Sequence, residues 1–104
     1  MALISIVVPC FNESEAFPDL VIALTWLADR LQDRYTVELI LVDDGSKDGT
    51  WELMQDFARF DSRVIAIGLS RNFGHQLALT AAYDFSRGDA VIAMDADLQD
   101  PPEV

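Results

Sequence analysis

The 104 residues suffice for one modest domain, and a composition 51% hydrophobic with 24% charged residues excludes a disordered segment. A formal net charge of −11 excludes a general nucleic-acid binder, which needs a basic surface, and leaves an anionic ligand to be met by a metal, helix amino termini or a few local cations. The single cysteine, Cys10, excludes an internal disulfide and a cysteine-rich metal site and fits a reducing cytosol. No apolar run approaches the roughly 20 residues that span a bilayer. Residues 1–8 lack the basic start of a signal peptide and run into Pro9, so the segment is expected to be soluble.

Residues 3–8 form a continuous apolar, β-branched run, which predicts a central strand of a parallel sheet, and Pro9 is expected to stop it. In the following turn Asn12 and Glu15 stand at capping-box spacing. Phe17, Leu20, Leu24, Leu27 and Leu31 then recur at helical spacing, predicting a helix to about Arg34 with Pro18 tolerated near its first turn. Residues 37–42 read as the second strand. The loop 43–50 opens a helix to about Phe60, with Trp51, Met54, Phe57 and Ala58 inward. Residues 64–69 read as the third strand, and residues 70–75 turn the chain into a third helix. That helix runs to about Ser86 with Leu77, Ala81 and Phe85 inward, and Gly88 is placed just past its end. Residues 90–94 are a short apolar run, expected to be a strand covered on both faces, and Pro101 and Pro102 bar it from continuing as sheet.

Alternating strands and helices call for an α/β, Rossmann-like parallel sheet with right-handed crossovers. The expected order 3-2-1-4 puts the chain reversal between strands one and four, where open α/β sheets bind ligands. That brings residues 9–13 to face residues 95–97. No internal repeat, low-complexity tract or linker is present.

The chemistry concentrates at the strand ends. Asp95 and Asp97 are two apart, so in extended geometry they lean to one side, and they repel unless a proton or cation lies between them. Such hard oxygens suit Mg²⁺ or Mn²⁺ shared with a substrate phosphate, and the Gln99 amide oxygen can act as a third ligand. An ordinary Asp-rich turn is the plainer account of the same residues. Asp43 and Asp44 end strand two beside the reversal, where a carboxylate can accept from a nucleobase edge or ribose hydroxyls, although the loop is also a normal turn. Arg71 is placed to pair with a pyrophosphate, or is a solvated loop cation. Phe11 is either an exposed aromatic that packs on a base or part of a hydrophobic staple. His75 reads most simply as a first-turn residue and Cys10 as a small buried one. Neither G-x-x-x-x-G-K nor G-x-G-x-x-G is present, which argues against a P-loop and against NAD.

Four blocks, residues 5–13 (SIVVPCFNE), 41–50 (LVDDGSKDGT), 71–74 (RNFG) and 95–102 (DADLQDPP), together resemble family 2 glycosyltransferases, in particular the polyprenyl-phosphate sugar transferases. The resemblance spans nearly the whole chain. It implies the amino-terminal, nucleotide-sugar-binding half of an A-type glycosyltransferase fold over residues 1–104. Carried over by position, it implies that Pro9, Phe11, Asn12 and Glu13 line a nucleoside pocket. It also implies that Asp44 or Asp43 contacts base or ribose, and that Asp95, Asp97 and Gln99 hold Mg²⁺ or Mn²⁺ against the diphosphate. The implied reaction is inverting transfer of a sugar, with UDP-glucose the expected donor ahead of a GDP-sugar, to a polyprenyl phosphate at the cytoplasmic face of a membrane. Members of the family continue with an acceptor-binding half, so this chain is expected to bind nucleotide without turnover. The open edge of strand four would favour self-association.

Two rival readings carry their own tests. A nucleotidyltransferase would be expected to place a Gly-rich, basic loop after strand one, and residues 9–15 hold neither glycine nor cation. A non-catalytic receiver-type module would need a phosphoacceptor Asp ending strand three, which instead ends in Leu69-Ser70-Arg71.

Overall fold

The computed structural model describes residues 1–96. The elements run β1 (Leu3–Cys10), α1 (Phe17–Leu31), β2 (Thr36–Asp43), α2 (Thr50–Phe60), β3 (Val64–Gly68), α3 (His75–Phe85) and β4 (Ala90–Ala93). The strands make one parallel sheet ordered β3-β2-β1-β4, as the alternation predicts.

Both faces of the two central strands are covered, which is why β1 and β2 read as nearly continuous apolar runs, interrupted by Ser5 and Glu38. Ile6, Val8, Leu39 and Leu41 pack against Leu20, Leu24 and Ala28 of α1 and Met54 and Phe57 of α2. The alternate residues Val7, Ile40 and Val42 pack against Ala78 and Ala82 of α3. Leu20 and Leu24 are fully buried, and each such leucine contributes about 1.5–3 kcal/mol.

Several expectations are corrected by the tertiary structure. Strand β1 does not stop at Pro9 but reaches Cys10. Leu3 and Val7 turn their carbonyls to the β4 side, accepting from Asp89 N at 2.7 Å and Met94 N at 3.0 Å. By alternation Pro9 faces that side too, past Ala93 where β4 ends, so its missing N–H costs no ladder bond. Helix α1 starts at Phe17 with Ala16 as N-cap and no side-chain cap, so Asn12 and Glu15 form no capping box. The helix ends at Leu31 rather than near Arg34, because Leu31 O accepts from both Arg34 N and Tyr35 N in a turn that leads into β2.

Helix α3 is rotated relative to expectation. Ala78 and Ala82 face the sheet, while Leu77 and Phe85 are 55% and 57% exposed. Small side chains let the helix lie close to β1 and β2, and that closeness decides the face over the larger residues' hydrophobicity. Gly88 is not a helix cap: Ser86 is the C-cap, and a Cβ on Gly88 would stand 2.5 Å from Ser5 Oγ. Strand β4 is not covered on both faces. Among the described residues it is an edge strand with Ala90, Ile92 and Ala93 exposed, because α3 packs mainly on β1 and β2 and only Val91 of β4 reaches that layer.

Candidate functional site

The carboxyl ends of the four strands deliver three described loops to one rim, and hydrogen bonds between loops give that rim its shape. The turn after β1 is fastened to the loop after β2 by three successive backbone N–H groups. Asn12 N donates to Ser46 Oγ at 2.8 Å, Glu13 N to Thr50 Oγ1 at 2.9 Å and Ser14 N to Asp48 Oδ2 at 3.1 Å. Asn12 adopts a left-handed φ of 52°, and its Oδ1 accepts from Lys47 N at 2.9 Å. Its role in the described structure is therefore to join two loops. Asp48 also accepts from Thr50 N and, at 2.5 Å, from Thr50 Oγ1. Burial pulls its titration upward, but the hydrogen bonds from Thr50 and Ser14 outweigh it and hold the carboxyl well below the usual range.

The loop after β3 is fastened in turn to β2 by Asp44. This buried carboxylate accepts from Phe73 N at 2.8 Å, Gly74 N at 3.1 Å and Asn72 Nδ2 at 3.2 Å. Gly45 passes so close to that loop, at φ 76°, that a Cβ would meet Arg71 C and Asn72 N at 2.4 Å. Only glycine suits both the conformation and the space.

The loops enclose an open cleft of about 980 Å³, walled by Phe11, Asn12, Asp43, Lys47, Trp51, Gly68, Arg71 and their neighbours. Phe11 is 43% exposed, so it is an available ring rather than a buried staple. Trp51 lies against Gly68, where a Cβ would come within 3.2 Å of the indole. Asp43 is buried yet lines the cleft, and its oxygens receive one shared N–H, from Ser46, at 3.2 and 3.3 Å. A carboxylate has about four acceptor positions, so Asp43 keeps capacity for a ligand. The Arg71 guanidinium sits 4.9 Å from the Phe73 ring centroid, a cation–π contact that holds it at the cleft wall.

A smaller adjoining pocket of about 270 Å³ is lined by Pro9, Cys10, Phe11, Glu13, Asp44, Gly74 and His75 among others. Burial first, then the carboxylates of Glu13 and Asp43, push the Cys10 thiol up to about 12, so it is neutral and unreactive near neutral pH.

The predicted site residues thus divide between neighbouring spaces. Phe11, Asn12, Asp43 and Arg71 line the cleft; Pro9, Glu13 and Asp44 line the smaller pocket, which shares Phe11. Asp95 lines neither, standing two residues past Ala93 at the end of β4, beside the carboxyl end of β1. Asp97 and Gln99 lie outside the described residues. Asp95 is exposed, with no hydrogen bond or ion pair among the described residues. The described residues contain no group of three or more His, Cys, Asp and Glu side chains able to hold a metal by themselves. Sequence reasoning missed Ser46, Lys47, Trp51 and Gly68 as cleft residues. Ser46 and Lys47 sit within the Asp43–Thr50 block that carried the resemblance, whereas nothing local marks Trp51 and Gly68.

The sequence matches Glycosyl transferase family 2 over residues 5–104. It is 45% identical over 100 residues to the uncharacterized glycosyltransferase YkcC of Bacillus subtilis (strain 168), covering 96% of this chain and 30% of that protein. It is 46% identical over 101 residues to the undecaprenyl-phosphate 4-deoxy-4-formamido-L-arabinose transferase of Pseudomonas fluorescens (strain SBW25), covering 96% of this chain and 29% of that one. The fold resembles the mannosyltransferase PcManGT from Pyrobaculum calidifontis in complex with GDP-Man and Mn²⁺, at TM-score 0.76 and 24% identity over 90% of this chain and 27% of that one. It also resembles residues 1–349 of S. aureus TarS in complex with UDP-GlcNAc, at TM-score 0.74 and 23% identity over 93% of this chain and 27% of that one. The sheet order and these neighbours are those of the A-type glycosyltransferase fold. With a match that runs from Ser5 to Val104, the chain belongs to glycosyl transferase family 2.

Proposed function

We propose that residues 1–104 are the nucleotide-sugar-binding part of an inverting glycosyltransferase that transfers a sugar to a polyprenyl phosphate. The observation that carries this reading is the cleft at the strand ends. It places the spare acceptors of Asp43, the exposed ring of Phe11 and the cation Arg71 around one space large enough for a nucleotide. The names of the relatives as undecaprenyl-phosphate sugar transferases support the acceptor class. Membership of the family supports the reaction type.

In this reading Asp43 accepts from the N–H edge of the base and Phe11 packs against its ring. Arg71, held over Phe73, pairs with the diphosphate, and Pro9, Asn12 and Glu13 shape the turn beside it. Asp44 supports the base side through the loop it anchors. Mg²⁺ or Mn²⁺, held by Asp95 with Asp97 and Gln99, would neutralise charge on the departing nucleoside diphosphate. The neighbour solved with GDP-Man and Mn²⁺ supports a divalent ion in this fold. Asp95 would also lie against the diphosphate.

UDP-glucose is the donor we assign first, ahead of a GDP-sugar. The acceptor lies at the cytoplasmic face of a membrane in this reading, although no helix among the described residues is long and apolar enough to cross one. The chain spans about 30% of the length of the relatives it matches, and we assign it binding without turnover. The open edge of β4 suits a second copy of the chain.

Calorimetric titration of UDP, UDP-glucose and GDP-mannose, with and without Mn²⁺, tests this directly. Metal-enhanced binding of UDP and UDP-glucose is expected. Preference for GDP-mannose would overturn the donor assignment, and measurable sugar transfer by these 104 residues would overturn binding without turnover.

A further inference from the structure

Strand β4 carries Asp95 towards the site, yet it is the least supported strand: four residues, paired on one side, largely exposed. Its position is set at the opposite end of the sheet. There Ser5 of β1 and Glu38 of β2 are lateral partners, and Ser5 is also the partner of Val91. Both polar side chains occupy the face otherwise filled by Val7, Ile40 and α3, and Glu38 is only 5% exposed.

A carboxylate buried on an apolar sheet face is costly unless its oxygens are bonded. Here the bonds run to the segment between α3 and β4. Ser5 Oγ donates to Glu38 Oε2 and accepts from Gly88 N at 2.8 Å. The same Glu38 oxygen accepts from Arg87 N at 2.8 Å. Glu38 Oε1 accepts no hydrogen bond among the described residues and has the Arg87 guanidinium 3.6 Å away. One residue later Asp89 closes a reciprocal pair with Leu3, donating its N–H at 2.7 Å and accepting from Leu3 N at 2.8 Å. Gly88 has no room for a side chain, since a Cβ would lie 2.7 Å from Ser5 N.

We propose that Glu38, acting through Ser5 and the Arg87–Gly88 backbone, is a positioning residue for Asp95, an inference that rests on Asp95 being a donor-site carboxylate. From Asp89 to Asp95 the extended chain covers roughly 20 Å, and a one-residue slip moves the far end by about 3.3 Å and turns its side chain to the other face. Four half-exposed residues give little hydrophobic preference for one register. The Glu38 latch supplies that preference before the strand begins.

The test compares wild type with Glu38→Ala and Glu38→Gln, by residue-resolved amide exchange and by UDP titration with and without Mn²⁺. In Glu38→Ala, exchange at Asp89 and Met94 should quicken by about tenfold, while Leu69 N, on the β2–β3 side, changes little. The Mn²⁺-dependent gain in UDP affinity should shrink while metal-free UDP affinity is retained. Glu38→Gln, which keeps an acceptor oxygen for Arg87 N–H, should restore part of both. Uniform acceleration across the sheet, unchanged exchange at Met94, or equal loss of both affinities would overturn the proposal. Should Glu38→Ala not fold, Ser5→Ala, which removes the acceptor for Gly88 N and the donor to Glu38 Oε2 but leaves Arg87 N bonded to Glu38, carries the same comparison. Absence of metal-dependent UDP binding in the wild type would sink the donor-site reading alone, because the exchange pattern still decides the latch.

Discussion

Asp43 and Asp44 are adjacent and both buried, but their acceptor positions are spent differently. Asp44 receives Phe73 N, Gly74 N and the Asn72 amide, whereas Asp43 shares a single N–H from Ser46 and opens onto the cleft. Two substitutions should therefore separate. Asp43→Asn should weaken UDP binding by about tenfold or more with little change in melting temperature, since the amide oxygen still accepts from Ser46. Asp44→Ala should cost about 3 kcal/mol in urea unfolding, because three donors lose one buried charged acceptor. Asp48 makes a prediction about acid. Its folded pKa is lowered below the ordinary 3.8, against the pull of burial, by Thr50 and Ser14. The unfolded chain thus takes up the proton first, and the stabilisation is fully present above about pH 4 and lost as pH falls through the folded value. Unfolding at pH 5 and pH 2.5 should show a smaller loss for Asp48→Asn than for wild type; equal losses would remove Asp48 from the account.

At the scale of the element, α3 shows how a helix face can be chosen by closeness rather than by size. Leu77, Tyr83 and Phe85 are exposed and Leu79 is half-buried, while Ala78 and Ala82 are fully buried against the sheet. Enlarging the contact should hurt more than emptying the outer face. Ala78→Leu should destabilise by about 1–3 kcal/mol through overpacking, and Leu77→Ser should stay within about 0.5 kcal/mol. The reverse ranking in thermal or denaturant unfolding would restore Leu77 to the core. Helix α1 is tied at its far end by Arg63, which bonds Asp61 at 2.8 Å, Asp29 at 3.0 Å and Gln32 at 3.1 Å. Hydrogen bonding from Arg63 holds the Asp61 carboxyl below its usual range against the opposing pull of burial. This junction lies at the end of the sheet away from the cleft and stabilises the frame without shaping the site.

At the scale of the whole molecule, β3 and β4 are the edges of the sheet among the described residues, and β4 exposes Ile92 at 43%. Sedimentation velocity should show self-association that rises with concentration, and Ile92→Lys should reduce it by placing a charge on the edge. A wild type that stays monomeric at high concentration would dismiss the second copy as a partner. The same scale shows what the residues alone determine. Apolar runs, helical spacing and Pro, Gly and Asp punctuation are local signals, so the element order and the parallel sheet with order 3-2-1-4 were legible. Asp43 was legible as a candidate because it ends a strand. Asp97 and Gln99 were legible as candidates too, but they fall outside the described residues. Which of two adjacent aspartates faces the cleft depended on amides 29 and 30 residues away. The role of Asn12 depended on Ser46 and Lys47, and the need for Gly88 on Ser5, 83 residues earlier. Those assignments belonged to the tertiary structure alone, because a polar side chain takes the partner that folding brings within hydrogen-bond reach, and chain-local spacing does not encode that partner.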